Sequence, residues 1–193
     1  MSKKNVAILL FDDVEVLDFA GPFEVFSVTN ELNGYSLFNI YTVAREKGPV
    51  QTRNGLSVNP DYGISEAPGP DFIVIPGGIG TRTVIKCRDV IDWIKASASN
   101  AEKVMSVCTG SLLLAKCGLL EGARATTHHE VYEELAALAP NTQVVKGERF
   151  VDNGKIITSG GISAGIDMSL HVIEQLHGQA VAQKTAAYME YRS

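Results

Sequence analysis

Cysteine is scarce in this 193-residue chain, and the three present, Cys87, Cys108 and Cys117, are widely spaced. An odd number at such separations builds no disulfide framework and matches no zinc-ligand pattern. A reducing compartment, the cytoplasm, is the expected setting, with no metal and no cofactor. Positive charge is also in short supply: 17 Lys and Arg stand against 22 Asp and Glu, and the basic residues are scattered. Nucleic-acid binding needs a basic patch or stripe, so none is expected. Long apolar runs are missing too. The run "VAILLF" near the start is far shorter than the roughly 20 residues of a membrane span. Acids follow it directly and no small-residue cleavage site appears, so it is not a secretion signal. No polar, Pro-rich or Ser-rich linker divides the chain, and repeats are absent. Residues 1–193 are therefore expected to form one domain, and 45% hydrophobic content is enough to fill its core.

What is present is an alternation. Short runs rich in Val and Ile ("NVAILLF", "SLFNIYTVA", "DFIVIPGG", "KVMSV") are separated by helical patterns ("GPFEVFSVTNEL", "VIDWIKASAS", "SLLLAKCGLL"). Continuous apolar strands separated by helices predict an α/β sandwich: a mostly parallel sheet with helices on both faces. Asn54-Gly55 and Asn153-Gly154 predict two hairpins at its edges, because Asn-Gly supplies the positive φ angles of a tight turn. The last part reads as two helices punctuated at Gly178.

Cys108 falls where the strand "KVMSV" gives way to the helix "GSLLLAKCGLL". In open α/β sheets functional groups collect beyond the carboxyl ends of strands. A strand feeding directly into a helix forces a tight turn, eased here by Gly110, of the kind that exposes a nucleophile in hydrolases. Ser106 occupies the first glycine position of that pattern. Unpaired amides at a helix start stabilise an anion, so the thiol pKa of Cys108 is expected to fall and its reactivity to exceed that of Cys87 and Cys117. Free cysteine is equally often mere packing. From spacing alone the two readings weigh the same.

Around it lie other candidates. "IPGGIG" and "SGGISAGID" each end a strand, and paired glycines let backbone amides face developing negative charge. Neither has phosphate-loop spacing. "EVLDFAGPFEVF" carries Glu15, Asp18 and Glu24, and its Gly21-Pro22 pair predicts a helix start, with proline near the first helical position. Asp18 follows the first strand, so it falls on the same sheet edge as Cys108, although a helix cap is its commoner role. His128 and His129 follow another short strand, where surface placement is the commoner outcome. Phe23 and Phe26 on the "GPFEVFSV" face suit either the core or a subunit contact.

Taken together, "LDFAGPFEVF", "FIVIPGGIG", "SVCTGSLLLAKCGLLEGARATTHH" and "SGGISAGIDMSL" resemble the ThiJ/PfpI family of the class I glutamine-amidotransferase-like superfamily. Within it the likeness is strongest to isocyanide hydratases and to the N-terminal domain of AraC-type regulators of the GlxA group. The resemblance implies a flavodoxin-like three-layer sandwich with a cysteine nucleophile elbow. It implies Cys108 as nucleophile and Asp18 as acid-base, with Thr109 following the cysteine. It also implies Gly77 and Gly78 as the pair whose amides face the site, with His128 beside them as a substrate-binding group. The family's proteases and amidases usually have histidine directly after the cysteine, where this chain has Thr109. Hydratase-like and regulator sequences often read T-T-H-W, where this chain has His129 last.

The activity implied by the resemblance is that of a cofactor-free hydratase of a small electrophile, best matched by an isocyanide going to an N-substituted formamide. Methylglyoxal hydration, as in glyoxalase-like relatives, is the alternative. A non-enzymatic ligand or redox sensor is the reading from another class. The resemblance also implies a homodimer. No helix-turn-helix segment is expected after the last helix pattern, and no membrane or nucleic-acid partner is expected.

Overall fold

The computed structural model of the protein describes residues 3–192. It begins with β1 (Lys4–Leu9), α1 (Val16–Leu32) and β2 (Phe38–Ala44), followed by the short strands β3 (Val50–Gln51), β4 (Ser57–Val58) and β5 (Tyr62–Gly63). Next come β6 (Phe72–Ile75), α2 (Thr81–Val84), α3 (Arg88–Asn100), β7 (Lys103–Ser106), α4 (Gly110–Lys116) and β8 (Arg124–Ala125). A 3-10 turn at His129–Val131 leads into α5 (Tyr132–Leu138) and β9 (Gln143–Val144). The chain continues through β10 (Phe150–Asp152), β11 (Ile156–Ser159), α6 (Ala164–His177) and α7 (Gln179–Tyr188).

The main sheet runs β10-β11-β7-β6-β1-β2-β5, parallel throughout except at the β10–β11 edge. On β6, Phe72, Ile73, Val74 and Ile75 are all fully buried. Successive strand side chains point to opposite faces, so both faces are covered. One helical layer is formed by α1, α6 and α7, and the other by α2 to α5. The expected mostly parallel α/β sandwich is therefore the observed fold.

The first layer is anchored by aromatic packing. Phe26 of α1 meets Phe38 of β2 edge-on at 5.3 Å and stacks on Phe72 of β6 at 6.4 Å. Burying each ring contributes about 2–3 kcal/mol. Phe26 is thus core and not a subunit contact, whereas Phe23, one turn earlier on the adjoining edge of the helix, stays 37% exposed. Asn30 clamps the same helix to β2: its Oδ1 accepts from the Leu37 and Phe38 amides and its Nδ2 donates to the Phe38 carbonyl.

The start of α1 corrects the sequence reading. The helix begins at Val16, with Glu15 as N-cap, and Pro22 lies inside it. Proline lacks the N–H that would bond the Asp18 carbonyl, but tertiary packing outweighs the loss. Gly21 brings α1 against Ile166 of α6, and Pro22 faces Gly165 of that helix. Both Asn-Gly turns are hairpins: Asn54 and Gly55 have φ of +74° and +88° between β3 and β4, and Gly154 has φ of +84° between β10 and β11. The second lies at the edge of the main sheet, and the first forms a ribbon of its own.

Connections leave β1 in opposite directions, to β2 on one side and to β6 and β7 on the other. That reversal opens a crevice beyond the strand ends. Loops following β1, β6, β7 and β11 converge there.

Candidate active site

Between the last residue of β7 and the first of α4 only Val107, Cys108 and Thr109 intervene. Cys108 takes φ of +56°, a left-handed conformation that costs a non-glycine residue about 1–2 kcal/mol. Its own peptide groups hold it there. The Cys108 amide donates to the Gly160 carbonyl at 3.0 Å, and its carbonyl accepts from Thr127 Oγ1 at 3.0 Å and Ser111 Oγ at 3.2 Å. Gly110 is obligatory for a different reason: a Cβ there would stand 2.0 Å from the Ile75 carbonyl oxygen. Thus the tight approach is supplied by glycine and the strain is borne by cysteine.

Asp18 is completely buried in the first turn of α1. One carboxyl oxygen, Oδ2, accepts from the Gly77 amide at 3.0 Å, while Oδ1 has no hydrogen-bond partner. Burial pushes its pKa up to about 7; the Gly77 amide opposes this and the nearby Glu15 charge adds to it. The Cys108 thiol is pushed up to about 12, by burial first and the Asp18 charge second. The expected lowering of the thiol pKa is therefore overturned. Amides of Thr109 and Ile162 do pull it down, but a seven-residue helix start cannot match the desolvation of a side chain in a residue only 7% exposed. Cys87 and Cys117 are both more exposed than Cys108, which removes the accessibility argument as well.

The glycine pair performs a local task. Gly77 donates to Asp18, and Gly78 (φ +124°) donates to Thr109 Oγ1 at 2.9 Å. Both amides are occupied within the protein, where they position the acid and the threonine. A Cβ at Gly77 would meet the Thr109 amide at 2.5 Å and Asp18 Oδ2 at 2.9 Å. Thr109 is further fixed by Thr81, whose hydroxyl lies 3.3 Å away and also donates to the Gly78 carbonyl.

His128 lies at the rim. Its ring rests against Gly161, where a Cβ would come within 2.4 Å of Cδ2, and it packs on His129 at 4.3 Å. Burial and the His129 charge lower its pKa. The two histidines, Tyr132, Arg149 and Ile162 line a 340 Å³ cavity. Neither Cys108 nor Asp18 lines this cavity, which adjoins them through Ile162 and Thr127, and neither lines the larger cavities of 560 and 650 Å³ elsewhere. Among the described residues no cluster of three His, Cys, Asp or Glu could hold a metal, and no helix is long and apolar enough to cross a membrane.

Sequence reasoning missed Ile162. It carries a positive φ of +50°, and its amide faces both Asp18 and Cys108. Apart from the Thr109 amide, it is the polar group that could receive negative charge beside the sulfur. The preceding Gly160-Gly161 pair was the one signal that could have found it. Thr127, the carbonyl anchor of the elbow, was visible only as part of "TTHH".

A family model described as the DJ-1/PfpI family matches residues 4–175. Isonitrile hydratase of Pseudomonas putida is 34% identical over 190 residues, covering 97% of this chain and 78% of the relative. The HTH-type transcriptional regulator GbdR of Pseudomonas aeruginosa is 28% identical over 179 residues, 93% of this chain, which spans about half the length of that regulator. The crystal structure of a ThiJ/PfpI family protein from Pseudomonas syringae superposes with a TM-score of 0.90 at 28% identity, covering 100% of this chain and 77% of the other. Drosophila melanogaster DJ-1beta, at 20% identity and TM-score 0.85 over 99% of this chain and 100% of its own, shares the fold.

Proposed function

The chain belongs to the DJ-1/PfpI family, and from that premise we propose that it is a cofactor-free hydratase of a small carbon electrophile, with Cys108 as nucleophile and Asp18 as acid-base. An organic isocyanide is the best-matched substrate. One observation carries this reading: a buried carboxyl with an unpartnered oxygen stands beside a thiol on a strained elbow. A carboxyl with pKa near 7 changes protonation readily at neutral pH.

The chemistry needs one shuttled proton. Cys108 Sγ attacks the terminal isocyanide carbon, forming a C–S bond as its proton passes to the Asp18 carboxylate. Asp18 returns that proton to the same carbon, leaving a thioimidate. Water then adds across the C=N bond: Asp18 takes one of its protons as oxygen bonds to carbon and passes that same proton to nitrogen. Collapse of the tetrahedral adduct breaks the C–S bond, releases the N-substituted formamide and restores the thiol. Negative charge that develops near sulfur is met by the amides of Ile162 and Thr109.

Incubation with para-nitrophenyl isocyanide, and separately with methylglyoxal, tests the reading. Formamide is expected from the first; turnover of methylglyoxal alone would favour the glyoxalase-like alternative, and turnover of neither would sink both. The similarity to GbdR supports a second reading, a ligand or redox sensor. We also propose a homodimer, covering exposed Leu17 and Phe23 of α1. Sedimentation as a monomer at micromolar concentration would refute it.

A further inference from the structure

Glu15 has no assigned task in this chemistry, yet its position is closely set. Its amide donates to the Gly77 carbonyl at 2.9 Å, and its own carbonyl accepts from the Asp18 amide at 3.2 Å. Glu15 and Asp18 therefore grip the same residue, Gly77, one through its carbonyl and the other through its amide. Residues three apart at a helix start are surface neighbours. The Glu15 side chain makes no capping hydrogen bond. Among the described residues no basic side chain forms an ion pair with it.

Other charges nearby do not cancel it. Arg82 is engaged by Glu134 at 2.6 Å. Arg53 adjoins through its backbone, its amide donating to the Val14 carbonyl, and its exposed side chain forms no ion pair with Glu15. His128 feels the Glu15 charge, but its pKa is lowered overall, so it stays neutral at pH 7. Arg149, which lines the rim cavity with Ile162, is engaged by Asp167, and Ile79 and Ile162 add apolar surface, 49% and 40% exposed, on the converging segments.

We infer that Glu15 is a specificity-determining residue, an uncompensated carboxylate that turns away anionic electrophiles and admits neutral or cationic ones with an apolar body. This rests on Cys108 as the reacting group, and not on the identity of the substrate. The Glu15 charge acts on both Asp18 and His128, which flank Cys108, and at an effective dielectric constant of about 40 a unit charge about 8 Å away changes the entry of a charged reagent roughly fivefold.

The experiment compares iodoacetamide with iodoacetate at pH 8. Each forms a C–S bond at Cys108 and expels iodide, the thiol proton going to buffer, and peptide mass mapping isolates the Cys108 label. Relative to glutathione, the parent should disfavour iodoacetate by roughly fivefold or more. Glu15→Gln should bring the ratio close to that of glutathione, Glu15→Asp should retain most of the discrimination, and Glu24→Gln, exposed on the same helix, should leave it unchanged. An unaltered ratio in Glu15→Gln, or no Cys108 label with either reagent, would overturn the inference. A shifted ratio without isocyanide turnover would sustain it and defeat only the hydratase reading.

Discussion

Thr127 Oγ1 donates to the Cys108 carbonyl at 3.0 Å, so the loop after β8 holds the strained residue of the elbow in place. Thr127→Val keeps the shape and removes this bond. A loss of about 1 kcal/mol is expected, since Ser111 Oγ still satisfies the carbonyl. Adding Ser111→Ala leaves a buried carbonyl without either hydroxyl, and the double variant should lose more than the sum of the single losses. Urea denaturation of the four proteins checks this; strict additivity would mean that the hydroxyls do not share the load.

Gly77 is the next pressure point, because a methyl group there would run into backbone. The Thr109 amide would be 2.5 Å from the new Cβ. Gly77→Ala should therefore cost about 2–3 kcal/mol and abolish turnover by displacing Asp18 and Thr109. Gly48→Ala meets nothing within 4 Å and should change stability by no more than about 0.5 kcal/mol. Thermal melts and turnover of the two variants together provide the check.

The sheet was legible because β1, β6 and β7 are unbroken apolar runs, and such runs have few other destinations. Cys108 and Asp18 were legible as neighbours because both follow strands that end at one crevice. Ile162 was not, since a backbone amide carries no side-chain signature. Its role depends on where the β11 loop is placed by packing. The true start of α1 was hidden for the opposite reason: Gly21-Pro22 is a strong local signal that contact with Ile166 and Gly165 overrides. The thiol pKa was misread because helix starts can be seen in sequence, whereas depth of burial cannot.

Stability should carry the mark of Asp18. Its folded pKa of about 7 lies above the usual carboxylate value of 3.8, so between these pH values the folded state binds more protons than the unfolded. Stability contributed by this group is full below about pH 4, declines as pH rises, and is gone above about pH 7, a change on the order of 4 kcal/mol. Asp18→Asn removes this dependence. Denaturation midpoints at pH 5 and pH 8 should converge in the variant relative to the parent, and an identical pH slope in both would show that Asp18 is ionised throughout.

The sharpest test separates two tasks that Asp18 could perform. Alkylation by iodoacetamide needs only the thiolate, because iodide leaves without a proton. Hydration also needs a proton delivered to carbon. Burial first and the Asp18 charge second hold the Cys108 thiol pKa up, so Asp18→Asn, which removes the second of these, should make thiolate easier to form and speed Cys108 labelling at pH 8. The same variant has no proton to return to the isocyanide carbon, and formamide production should fall roughly 10²-fold or more. Asp18→Glu should be milder, since it retains a titrating group. Labelling rates from mass mapping and formamide release measured on the same preparations give both readouts. If labelling and turnover fall together, Asp18 acts chiefly as the base that ionises the thiol, and the proton returned to carbon comes from another donor.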